Sequence, residues 1–223
     1  MKVTILSGSG RYQDEWHDFT ATSMEVARAL EAMGLQVAVR AFKPAGVVAE
    51  VPDSDLVVVN AGAGEFHARS DGPEEAWVEA FQALRDHRAR RRPLLALHAA
   101  TMTLDGLDEW PDWVGGRWVQ GRSMHPPIGD AAVQVSDGDH PITAGLAPFT
   151  LFDERYCLLD RSSDAHVLLH HNHEGGQQPL VWVTEQDGAR TVYDALGHDV
   201  RAFASPGRTD LLQREVRWLL ESV

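Results

Sequence analysis

His98 closes the apolar run Pro93-Leu94-Leu95-Ala96-Leu97 and is followed by two small residues, Ala99 and Ala100. Such a run reads as a buried strand. The turn leaving the carboxyl end of a central strand is where open α/β sheets bind ligands and display nucleophiles. Small residues after the turn let the chain bend sharply while the side chain enters the crevice. Here that side chain is an imidazole, where a hydrolytic or acyl-transfer elbow would carry Ser or Cys. His125 and His198 occupy comparable settings, Met124-His125-Pro126 and Gly197-His198-Asp199, and Glu154 lies in Asp153-Glu154-Arg155-Tyr156. Three imidazoles and a carboxylate suit two chemistries. One is acid–base transfer, with His98 or His198 moving the proton and Glu154 as partner. The other is a divalent metal such as zinc held by His98, His125 and His198, with Glu154 or water completing the shell. The three histidines are far apart in sequence, so spacing leaves both open.

Further polar groups should gather at the same edge. Loops after the first, third, fourth and last strands converge there, bringing Gly8-Ser9-Gly10 with His17, and Asn60-Ala61-Gly62-Ala63-Gly64 with His67, beside His98 and His198. Ser9, His17, Asn60, Gly62, His125 and Trp113 are the expected substrate-binding residues. Gly8-Ser9-Gly10 lacks the third glycine of a dinucleotide fingerprint, and nothing resembles a Walker loop. The glycines at 62 and 64 could offer backbone N–H groups to an oxygen, although a sharp strand exit needs them equally. The polar stretch 172–178, flanked by two strands, reads as a hairpin or a long connecting loop. His171 and His173 would point one way on a strand, but a solvated loop is the simpler reading of these histidines. Trp110, Trp113, Trp118 and Trp182 offer flat walls for sugar rings, yet aromatics mostly build core. Cys157 reads as a buried, inert thiol.

These groups need a scaffold. Residues 3–7, 37–42, 55–60 and 94–98 read as strands, and 19–33 and 74–88 have helical apolar spacing. The order β-α-β-β-α-β, with near-continuous Val/Leu strands, predicts a mostly parallel sheet covered on both faces. Residues 110–116 form an aromatic loop or short helix. Strands follow at 131–135, 166–170, 180–183 and 191–195, and an amphipathic helix over 209–220 closes the chain.

The 223 residues fit one domain spanning 1–223, with an apolar fraction of 43% that is ordinary for a globular protein. A net charge of −13 argues against nucleic acid. The basic run from Arg85 to Arg92 falls where a helix ends before Pro93, so dipole interaction and solvation account for it. A single cysteine allows no internal disulfide and no Cys-rich zinc site. The chain enters a strand at once, without a leader, and no apolar stretch is long enough for a bilayer, so cytoplasm is the expected location.

Several segments in order carry a resemblance: Leu97-His98-Ala99-Ala100, Gly115-Gly116 with His125-Pro126, Asp139-His140-Pro141-Ile142, Phe152-Asp153-Glu154-Arg155-Tyr156, Pro179-Leu180-Val181-Trp182 and Ala195-Leu196-Gly197-His198. Together they resemble the ThuA-like (trehalose utilisation) family of the class I glutamine amidotransferase-like superfamily, over essentially the whole chain. That resemblance implies a flavodoxin-like three-layer α/β sandwich without the amidotransferase nucleophile. It also implies a pocket at His98, His125, Glu154 and His198, and a role in sugar catabolism. Arg155 departs from the small or apolar residue common there. The implied partner is a small-molecule carbohydrate, with neither nucleic acid nor membrane; a homo-oligomer is left open. The rival reading is a sugar-binding or regulatory module that kept the fold and lost the chemistry.

Overall fold

The computed structural model describes residues 1–64, 71–221 and 223. Among them, nine strands form one sheet in the order β2-β1-β3-β4-β11-β10-β9-β6-β7. Its parallel part comprises β1 (Lys2–Ser7), β2 (Gln36–Ala41), β3 (Leu56–Asn60), β4 (Leu94–Leu97) and β11 (Ala189–Asp194). Every residue of β3 and β4 is buried, as expected of strands covered on both faces. The sheet continues antiparallel through β10 (Gly176–Gln186), β9 (His166–His173), β6 (Gly129–Val135) and β7 (Phe149–Asp153). A two-residue pair, β5 (Gly116–Arg117) and β8 (Asp160–Arg161), stands apart.

Helices flank the sheet. α1 (Phe19–Glu31) packs on α5 (Pro206–Leu220), and α2 (Pro44–Glu50) packs on α3 (Glu74–Ala89). Asp18 caps α1 by accepting the Ala21 N–H at 2.9 Å. A short α4 (Trp110–Val114) is stopped by Gly115 at φ +74°, a conformation that suits glycine. None of these helices is long and apolar enough to cross a membrane.

Four features differ from the sequence expectations. Helix α2 interrupts the predicted β-β step; its signal is Pro44 at the first helical position. Strand β7 was not among the predicted strands, although it ends directly before Glu154. Of the two readings of residues 172–178, the hairpin is the one observed, with Glu174 (φ +48°) and Gly175 (φ +80°) at the turn between β9 and β10. His171 is consequently buried on a strand, with Nε2 3.0 Å from the Tyr156 carbonyl, rather than solvated. In the basic run, Arg88 is also buried and donates to the carbonyls of Ala189 and Arg190.

His87, in the last turn of α3, yields a pH prediction. Its ring is buried, and Nε2 lies 3.0 Å from the Pro93 carbonyl, so Nε2–H donates. Burial lowers its pKa to about 4. An unfolded imidazole binds its proton near 6.5, so between these values the unfolded state holds more protons and stability falls as pH falls. The full span corresponds to about 3 kcal/mol. Urea midpoints taken between pH 7 and pH 4 should drop less steeply in His87→Gln, which keeps the donor and cannot titrate. Parallel curves would show that His87 is not responsible.

Candidate functional site

Four chain segments meet at the carboxyl edge of the parallel strands. The loop between β1 and α1 brings Asp14 and His17, whose arrangement is local. Oδ1 of Asp14 accepts the backbone N–H groups of Trp16 and His17 at 3.0 and 2.9 Å, and the carboxylate lies 2.7 and 2.8 Å from Nδ1 of His17. His98 is the first residue after β4, at φ +45°, a backbone region that non-glycine residues seldom occupy. Its carbonyl accepts from the Tyr193 hydroxyl at 2.9 Å, and its Nδ1 lies 2.7 Å from the Ala195 carbonyl. Glu154 follows β7, and His198 follows β11 through Gly197 at φ +112°.

Buried Asp153 ties the last two together. Its carboxylate accepts backbone N–H groups from Glu154 (2.9 Å), Gly197 (2.6 Å) and His198 (2.9 Å). At the centre, Nε2 of His98 lies 3.1 Å from Nε2 of His17, 3.0 Å from the Tyr156 hydroxyl and 3.4 Å from Oε2 of Glu154. Nδ1 of His198 lies 3.3 Å from the same Glu154 oxygen, and Nε2 of His125 lies 3.5 Å from Oε1.

The environment sorts the charges. Burial lowers the pKa of His98 to about 4, so it is neutral at pH 7. Burial opposes ionisation of Glu154, but hydrogen bonding to His198 and His98 prevails and holds the carboxyl well below its usual range. Burial also opposes protonation of His198, yet Glu154 outweighs it and the net shift is upward. Asp14 is lowered in turn: burial resists, and His17 more than offsets it. The result is a neutral His98 among ionised carboxylates.

A cleft of about 470 Å³ opens above this cluster, walled by Trp16, Trp118, Tyr156 and Met102, with His17, His125, Glu154, His198 and Gln120 facing in. An adjoining hollow of about 410 Å³ shares Met102, Trp118 and Gln120, and adds Asp105, Asp108 and Arg117. His98 is only 1% exposed and sits behind the cleft wall.

The expected site residues divide. His17, His98, Glu154 and His198 come together, and His125 reaches the cleft from its rim. Among the described residues, the potential ligand atoms within 4.8 Å of one another belong to His17, His98, Glu154 and His198. His17 thus occupies the place that the sequence reading gave to His125. Asn60 is buried and donates to the hydroxyls of Thr22 and Ser23, joining β3 to α1 instead of meeting a ligand. Ser9 donates to the Phe42 carbonyl at 3.4 Å. Gly62 backs the site: a Cβ there would lie 2.5 Å from Oδ2 of Asp14, so the glycine makes room for that carboxylate. Trp113 lies outside the cleft with Arg88 over its ring, and Trp118 forms the wall. His67 falls outside the described residues. Cys157 is buried, its thiol raised to about 11, with His171 Nε2 3.7 Å away. Asp14, Asp153 and Tyr156 complete the site; an aspartate three residues before His17 is the one local signal among them.

A family model described as trehalose utilisation matches residues 2–219. The chain belongs to the ThuA family. Membership places it in a carbohydrate-related role. A ThuA-like protein from Parabacteroides merdae is similar in structure, with 18% identity, TM-score 0.78, and coverage of 98% of this chain and 89% of that one. A ThuA-like protein from Bacteroides uniformis has 16% identity and TM-score 0.73, covering 98% and 90%. A glutamine amidotransferase from Thermotoga maritima has 13% identity and TM-score 0.58, covering 99% and 98%. These likenesses show the glutamine amidotransferase-like fold. No curated protein sequence matches the chain. On this ThuA scaffold the turn after β4 carries His98, where a nucleophile would need a thiol or hydroxyl.

Proposed function

We propose that this protein is a carbohydrate-processing enzyme acting on a sugar or an oxidised (keto) sugar through proton transfer. The observation that carries this reading is the cleft itself. Aromatic faces of Trp118 and Tyr156 stand beside a convergent set of imidazoles and a carboxylate, and the adjoining hollow gives room for more than one ring. Isomerisation or elimination beside a carbonyl needs a base and an acid of near-neutral pKa. His198, whose pKa is raised from the ordinary imidazole value by Glu154, faces the cleft and takes the proton-transfer role, with ionised Glu154 as its carboxylate partner. His98, buried behind them, acts through its neighbours as a positioning residue, and His125 binds at the rim.

Turnover of a panel of keto-disaccharides by wild type and His198→Ala tests the assignment. Loss of a proton-transfer group should lower kcat/KM by about 10²–10⁴. Equal turnover in both proteins removes His198 from the mechanism. Saturable sugar binding by calorimetry, with no product from any substrate, would instead favour a binding module.

A further inference from the structure

Two ring nitrogens facing each other show what the cluster lacks. The Ala195 carbonyl beside Nδ1 of His98 can only accept, so that nitrogen carries the proton and Nε2 presents a lone pair. The Asp14 carboxylate, which also accepts the backbone N–H groups of Trp16 and His17, likewise draws a proton onto Nδ1 of His17. In neutral His17, Nε2 therefore presents a second lone pair, 3.1 Å from the first, and the Tyr156 hydroxyl, 3.0 Å from His98 Nε2, brings one proton for the two. Nδ1 of His198 is buried and lies 3.3 Å from Oε2 of Glu154. Nitrogen lone pairs and an anion directed at one point repel unless positive charge lies between them.

We propose that His17, His98, His198 and Glu154 bind a divalent transition-metal ion. The ligating atoms are His17 Nε2, His98 Nε2, His198 Nδ1 and Glu154 Oε2. The four residues offer atoms within 4.8 Å of one another. Ligands about 2.0–2.2 Å from a tetrahedral zinc are separated by about 3.3–3.6 Å, close to the 3.1, 3.4 and 3.3 Å between His17 and His98, His98 and Glu154, and His198 and Glu154. Three imidazoles and one carboxylate suit zinc, cobalt, nickel or iron and disfavour magnesium and calcium. The outer contacts match as well: metal-binding histidines donate their second N–H to a carboxylate or a backbone carbonyl, and Asp14 and Ala195 are such partners. His125 is excluded, because its Nε2 approaches the other Glu154 oxygen from the cleft side.

The proposal rests on the carbohydrate reading only for what the ion acts upon. With the ion in place, His198 Nδ1 and Glu154 Oε2 would serve as its ligands rather than as proton carriers, and a sugar oxygen entering beside Trp118 would meet a Lewis acid at the cleft floor. The competing occupant is a proton, with His17 as an imidazolium donating to His98.

The full chain, stripped with chelator and shown to be folded by circular dichroism, is titrated calorimetrically with Zn²⁺, Co²⁺ and Mg²⁺. One equivalent of Zn²⁺ or Co²⁺ should bind, with no measurable Mg²⁺ binding, and bound Co²⁺ should give the visible absorption of a low-symmetry nitrogen–oxygen site. Asp14→Asn, which leaves all four ligands present, should weaken binding about 10–100-fold. Glu154→Gln should abolish the rise in unfolding temperature on adding Zn²⁺, and His125→Ala should retain both affinity and spectrum. Absence of binding in folded wild type, or full affinity in Asp14→Asn and Glu154→Gln together, overturns the proposal in favour of the shared proton. Undiminished sugar turnover in strong chelator would also overturn it and leave the carbohydrate reading standing. Metal binding without turnover of any sugar would do the reverse.

Discussion

Glu154→Gln loses sugar turnover and keeps the fold. Glu154 is 8% exposed, and its two carboxylate oxygens lie within 3.5 Å of ring nitrogens from His98, His198 and His125. Among the described residues, no other carboxylate pairs with three of the site's imidazoles. A glutamine of nearly the same shape removes the negative charge and replaces one oxygen with a donor. As acid–base partner or as metal ligand, the residue then fails at its task. A decrease of about 10³ in kcat/KM is expected, most of it in kcat because the aromatic walls of the cleft remain. The unfolding midpoint in urea should move by no more than about 1 kcal/mol, since the substitution preserves volume. Wild-type kcat in the variant would remove Glu154 from the chemistry. A collapsed midpoint would mark its role as structural.

The largest stability effect belongs to the neighbouring residue. Asp153 has no solvent exposure, and its carboxylate accepts the three N–H groups of Glu154, Gly197 and His198. Burial pushes its pKa up to about 7, and those three donors pull the other way. Asp153→Ala leaves three buried donors unpaired and should cost about 3–5 kcal/mol. Asp153→Asn keeps an acceptor oxygen and should cost about half as much. Denaturant unfolding of the two variants measures the difference. A loss below about 1 kcal/mol in the alanine variant would mean that water satisfies the freed donors. Because the same carboxylate joins the exits of β7 and β11, the alanine variant should also separate Glu154 from His198.

The parallel half of the sheet was legible because buried strands are written as uninterrupted apolar runs, as in residues 56–59 and 94–97. His98 and His198 were legible from the strands they terminate. The hairpin at Glu174-Gly175 was legible as one of two readings, but its polar sequence hid the continuation of β9 through His171. Asn60 and Trp113 were placed in the site by proximity along the chain, but side-chain direction decides, and theirs lead to Thr22 and Arg88. Asp153 could not be read at all. Its partners are backbone N–H groups more than forty residues onward as well as its own neighbour, and backbone donors leave no mark on composition.

His17 and His198 stand near opposite ends of the chain and contribute adjoining imidazoles, with ring centres 4.7 Å apart. During synthesis the amino-terminal strands emerge first, yet nothing at the sheet edge can be complete until β11 and the turn after it have left the ribosome. β11 lies between β4 and β10, so the middle of the sheet is also the last part to be filled. Until then β4 has an unpaired edge, and such edges invite association with other chains. Insertion of β11 therefore closes the edge of β4 and completes the imidazole cluster in one event.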